Sequence, residues 1–97
     1  MKVTFSPSAR NDIIEIADYI ASGNAAAAPL FVKSLADRCQ RIAAAPEGGR
    51  PRPELGLGLR SVVFRHHVIF YSVEETTIRI ERILHGARDI AAQFEKE

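Results

Sequence analysis

Polar and apolar residues alternate along Lys2-Val3-Thr4-Phe5, the period-2 pattern of a short strand. Ser6-Pro7 then marks a helix start. Serine caps free backbone N–H groups, and proline is tolerated at the first helical position, where its missing N–H has no partner. Ala9, Ile13, Ile16, Ala17 and Ile20 follow on one stripe at helical spacing, with Arg10, Asp12, Glu15 and Asp18 mostly off it. Gly23 is expected to close this helix in the left-handed conformation. Asn24 is expected to cap a second helix running to about Ala45, whose buried stripe is Phe31, Leu35, Cys39 and Ile42. Pro29 conflicts with a start at Ala25, because it removes a ladder hydrogen bond. That helix therefore begins at Pro29 or has a distorted first turn. A connection this short makes the two helices an antiparallel hairpin.

Residues 46–58, PEGGRPRPELGLG, carry three prolines and four glycines and read as a structured loop without a regular element. Three apolar runs follow, Leu59 to Phe64, His67 to Val73 and Thr77 to Leu84, with Glu74-Glu75-Thr76 as a tight hairpin between the last two. Along the last run strict alternation sets Ile78, Ile80 and Leu84 on one face and Arg79, Glu81, Ile83 and His85 on the other. Arg82 intrudes on the apolar face. Asp89 is positioned to cap a short final helix carrying Ile90 and Phe94. The order βααβββ(α) is an α+β architecture: an N-terminal strand and a helical hairpin packed on one face of a small antiparallel sheet.

Composition narrows the class. The 97 residues make one domain, residues 1–97, and 46% hydrophobic with 26% charged residues fits a soluble globular chain. The segment MKVTFSPSAR is too short and polar for a signal peptide, and no run approaches about 18 consecutive apolar residues. A single cysteine closes no intramolecular disulfide, so a reducing, cytoplasmic setting is expected. The net charge of +1 is uninformative, but ten of the thirteen cations are arginines. Arg50, Arg52, Arg60 and Arg65 stand against one acid, Glu54, in residues 50–71. That local excess suits an acidic partner or nucleic acid, or is simply a solvated surface.

The pieces R-x-R-P-E-L, G-L-R-S, I-F-Y and L-H-G-A-R-D, in this order and spacing, resemble a ParE toxin of the RelE/ParE superfamily. SPSARNDIIEIADYIA is similar to that family's first helix, and the likeness runs from about Val3 to Phe94. The usual place of a proline in the family's second helix is position 25, here Ala25. The resemblance implies the toxin of a type II toxin–antitoxin module. Its target would be DNA gyrase and so DNA replication. A ParD-like antitoxin would neutralise it, and operator DNA would be reached only through that antitoxin. The sister branch, RelE-like toxins, cleaves mRNA on the ribosome, so the decision rests on the site and not on the fold.

RNA cleavage needs a base, an acid and cations for the phosphorane. Many RelE-like enzymes carry an arginine three residues before the position of Tyr71, where this chain has Val68. Many also carry Tyr or His near the C-terminus, where this chain has Phe94. No catalytic residue is therefore expected; a RelE-like enzyme would have to use Arg60, Arg82 and His85. His85 reads more readily as shaping the strand-to-helix turn. Partner contacts are expected from Leu30, Arg50, Arg52, Glu54, Arg60, Arg65, Arg82 and Arg88, and Ile14 and Val32 are further apolar anchors unless the helices bury a wider stripe. Arg60 alternatively holds the loop through an ion pair, for example to Glu54. Arg82 needs an acid or an exposed edge. Arg88-Asp89 reads more as a local pair and helix cap than as a site. Cys39 reads as a small buried hydrophobe and Tyr71 as packing. Adjacent His66 and His67, on a strand, would point to opposite faces, and no metal or other cofactor is expected.

Overall fold

The computed structural model describes residues 1–86 and 90–95, the side chain of Glu95 excepted. Strand β1 (Lys2–Phe5) leads into helix α1 (Pro7–Gly23), in which Ser6 Oγ accepts the Ala9 N–H at 2.9 Å and Pro7 takes the first helical position. Gly23 is not the left-handed residue expected; the helix ends into Asn24 in an extended conformation, with φ −158°. Helix α2 (Ala27–Ala44) starts later than Asn24 would set it and has no side-chain cap; the Asn24 carbonyl instead accepts the Ala27 N–H at 3.1 Å. That start resolves the conflict at Pro29. Proline occupies the third helical position, where its absent N–H would have had no intrahelical acceptor.

Strands β2 (Arg50–Pro51), β3 (Leu59–Phe64), β4 (His67–Val73) and β5 (Thr77–His85) follow, then helix α3 (Ile90–Glu95). The sheet order is β1-β5-β4-β3-β2. The four later strands are antiparallel, and β1 joins the edge beside β5 in parallel, which makes the five-stranded sheet mixed. Two local expectations are corrected. The 46–58 loop contains a regular element, the two-residue strand β2, which pairs Arg50 with Ser61 and Pro51 with Arg60. Strict alternation fails on β5, because the register slips between Phe70↔Arg82 and Tyr71↔Ile80 and leaves Glu81 as a bulge. Ile83 therefore joins Ile78 and Ile80 toward the helices, while Leu84 turns to the other side.

Two apolar clusters result. The larger lies between the helical hairpin and the sheet, where Phe31, Leu35, Cys39 and Ile42 of α2 meet Ile69, Tyr71, Ile78 and Ile80. The smaller lies on the opposite sheet face, where Leu59, Phe70 and Leu84 are covered by Leu55, Val68, Ile90 and Phe94. Phe94 meets Phe70 edge-on, with ring centroids 4.9 Å apart. The expected cap Asp89 lies outside the described residues.

Tyr71 packs in the core and also ties the loop to it. Its hydroxyl donates to the Pro46 carbonyl at 2.8 Å and accepts the Gly49 N–H at 2.9 Å. A side chain at Gly49 would run into the Tyr71 ring and hydroxyl, so the close approach requires glycine. Gly58 has φ 74°, the left-handed region, in the turn that enters β3.

Tyr71→Phe leaves the Gly49 N–H and the Pro46 carbonyl without their partner and is expected to cost about 1–3 kcal/mol. Urea unfolding measures it; a change within error would mean that the hydroxyl does not brace the loop. Burial pushes the Cys39 thiol up from 9.0 to about 11, against a smaller opposing pull from Arg38. Above pH 9 the unfolded chain loses this proton first, so stability is full below that pH and is lost as pH rises through 11. Alkylation of Cys39 at about pH 8 is expected only at the rate of global unfolding; rapid labelling of folded protein would contradict the burial.

Candidate functional site

Asp12 belongs to the buried stripe of α1, not to its polar face. It stands three residues after Ala9 and four before Ile16, the same i, i+3, i+7 spacing as the apolar positions. Its carboxylate accepts Arg82 Nε at 2.9 Å and Arg82 Nη2 at 3.0 Å, and Oδ2 also accepts the Ile83 N–H at 2.9 Å. The side chains are only 9% and 12% exposed, so this is a buried bidentate pair. It sits at the bulge. Six residues earlier, at the N-cap of α1, Ser6 Oγ donates to the Glu81 carbonyl at 2.7 Å. The bulge thus presents backbone groups that α1 satisfies, and Arg82 finds the acid its position demands.

Arg60 is likewise committed. One of its terminal nitrogens donates to the carbonyls of Glu47 at 2.9 Å and Gly49 at 2.8 Å. It holds the loop as expected, but through backbone carbonyls; the ion pair with Glu54 belongs to Arg52, at 2.7 Å. That bond holds the exposed Glu54 carboxyl below its usual value. Arg52 also donates to Ser61 Oγ at 3.3 Å and lies over the Phe70 ring, 5.6 Å from its centroid. Arg50 is exposed on the edge strand β2. The four arginines of residues 50–71 therefore serve different places and do not form one patch. Leu30, Ile14 and Val32 are exposed on the helices, and Arg88 lies outside the described residues.

The turn between β3 and β4 falls between the two runs as read, but it corrects the placement of His66. Phe64 pairs with His67, so Arg65 and His66 form a two-residue turn and His66 is not on a strand. Arg65 takes φ 57°, a conformation that costs a non-glycine residue about 1–2 kcal/mol. Its guanidinium lies over the rings of Phe64 and Phe31, 5.2 and 5.8 Å from their centroids, and donates to Ser34 Oγ at 3.1 Å. His66 and His67 consequently line the same groove, together with His85. This groove, about 900 Å³, runs between α1, the start of α2 and the end of β5, over Ile16, Ile20, Phe31 and Ile83. The His67 and His85 rings meet edge-on at 5.4 Å. Nothing in the linear pattern brings the histidines together; the turn and the pairing His67↔His85 do.

The three residues that an RNA-cleaving site would use are thus held by different elements: Arg60 by the loop after α2, Arg82 by α1, and His85 beside His67. Val68 and Phe94 both pack in the cluster on the far sheet face. Among the described residues no three of His, Cys, Asp or Glu gather in a metal-binding arrangement, and no helix is long and apolar enough to cross a membrane.

The whole is a helical hairpin on one face of a mixed sheet, with the N-terminal strand added in parallel to the last strand. The chain belongs to the ParE toxin family: the family model described as "ParE toxin of type II toxin-antitoxin system, parDE" matches residues 3–90. A solved structure, the chromosomal ParDE TA system from P. aeruginosa, has a similar fold with a TM-score of 0.74 and 19% identity, over 88% of this chain and 95% of that one. No curated protein sequence matches the chain.

Asp12→Ala strands Arg82 and the Ile83 N–H in a buried setting and is expected to cost about 3–5 kcal/mol in urea unfolding. Replacing both charges, Asp12→Leu with Arg82→Met, is expected to recover most of that loss. A single-variant cost below about 1 kcal/mol would place the pair with ordinary surface bridges.

Proposed function

We propose that the chain is a toxin of the gyrase-blocking kind, which arrests DNA replication by gripping the enzyme and carries no catalytic residues of its own. A ParD-like antitoxin neutralises it in the cytoplasm, and operator DNA is reached only through that antitoxin. One observation carries the choice over mRNA cleavage. Two positions where many RelE-like enzymes bear ionisable groups, here Val68 and Phe94, both belong to the apolar cluster around Phe70. Neither side chain can move a proton or hold charge on a phosphorane. The commitment of Arg82 to Asp12 and of Arg60 to loop carbonyls supports the same reading. Family membership and the likeness to a ParDE structure support the module as a whole.

Purified protein is expected to stall gyrase supercoiling and to leave ribosome-bound mRNA intact. Cut mRNA with unaffected gyrase would reverse the assignment, and loss of cutting in His85→Ala with unchanged folding would then identify His85 as part of the enzyme.

A further inference from the structure

Arg52, Arg60, Arg65, Arg79 and Arg82 each donate to a carboxylate, a carbonyl or a hydroxyl of the chain itself. Arg38 and Arg41, one turn apart on α2, do not. Among the described residues neither guanidinium has a hydrogen bond or an ion pair. Asp37, four residues before Arg41, is taken by Lys33 at 3.2 Å. The two free cations flank a cleft of about 160 Å³ between the end of α2 and the loop at Gly48-Gly49, with Ile42 and Val62 as apolar walls. We propose that this cleft is an anion site that takes one phosphate group, held between the two guanidinium groups.

Local helix physics does not account for both arginines. Arg41 stands in the last turn, where a cation offsets the negative end of the helix dipole. Arg38 is one turn earlier and half-buried, and like charges on neighbouring turns of one helix face repel. An anion between them removes that repulsion. Among the described residues no acidic side chain lines the cleft, and Glu47, exposed on the loop, makes no ion pair. Apolar walls beside charges of one sign concentrate their field in the space between. The loop contributes two glycines, so no side chain fills the cleft from that direction; at Gly49 one would strike the Tyr71 ring.

Donor arrangement and size select the group. One fork grips a planar carboxylate, as Arg82 grips Asp12. Two forks on different turns present donors from two directions, which suits the tetrahedral oxygens of a phosphate. The N–H groups of Gly48 and Gly49 already bond to the Ala45 carbonyl and the Tyr71 hydroxyl, so the arginines supply the hydrogen bonds as well as the charge. At about 160 Å³ the cleft is well below the roughly 300 Å³ at which pockets for whole small molecules begin, so a nucleoside stays outside and only its phosphate enters. The phosphate belongs either to a nucleic-acid backbone or to a free nucleotide. Its binding does not depend on which enzyme the toxin grips.

NMR titration of the intact chain with inorganic phosphate tests the site. Saturable shifts are expected at the Gly48 and Gly49 amides and at Nε of Arg38 and Arg41, with a dissociation constant on the order of 1 mM. Arg38→Gln with Arg41→Gln removes no contact within the fold; it is expected to keep the amide spectrum elsewhere and to weaken phosphate at least about tenfold. Arg10→Gln, at an exposed cation of α1 that does not line the cleft, is expected to leave binding unchanged. Titrations with a short DNA duplex and with a nucleoside monophosphate separate the two sources, the tighter ligand at these same residues being the one the site serves. For the duplex, the double variant is expected to lower the slope of log affinity against log salt by about 2. Shifts that are absent or fail to saturate, that acetate reproduces at equal concentration, or that survive the double variant overturn the assignment.

Discussion

At the bulge in β5 the sheet stops satisfying its own backbone, and helix α1 takes over. Ser6 donates to the Glu81 carbonyl, and Asp12 accepts both the Ile83 N–H and the Arg82 guanidinium. A buried carboxylate is costly unless every lone pair has a donor, and here three N–H groups converge on it. The geometry that results fixes more than one contact. It sets the height of α1 over the sheet, and it holds the register slip that turns Ile83 toward the helices and Leu84 away from them. Without the slip, the two apolar clusters would exchange side chains and neither would close.

The same economy governs the 46–58 loop. Prolines stiffen it, but its position comes from one tyrosine and one arginine that reach out of regular strands to backbone groups. Arg52 then lids the far cluster by lying on Phe70. Arginines that read in the linear sequence as a basic surface are thus largely spent on internal order, and Arg65 is the one that fronts a concave surface while braced from behind.

Element identity was legible because it rests on local physics: the Ser6-Pro7 start, the α2 stripe from Phe31 to Ile42 and the three β-rich runs all appear as read. Three other features depend on partners remote in the chain. The bulge at Glu81 has no signature in a strand pattern, and Asp12 looked polar until Arg82 was placed against it. Its heptad-like spacing from Ala9, together with an arginine interrupting an apolar strand, was the available signal. Convergence of the histidines was hidden for a third reason: the gap between the two runs marks a turn at Arg65-His66, but it does not show that His67 pairs with His85 or that His66 faces the same groove. The helix α2 start was misread at Asn24 because its cap is a backbone carbonyl rather than a side chain.

The pairing of β1 with β5 has a temporal meaning. Strand β1 and the Ser6 and Asp12 clamps find their partners 70 to 75 residues downstream. Loop closure of that span is slow relative to helix formation, and on a ribosome it waits until β5 has left the exit tunnel. Until β5 arrives, the apolar stripe of the helical hairpin has no complete sheet to pack against.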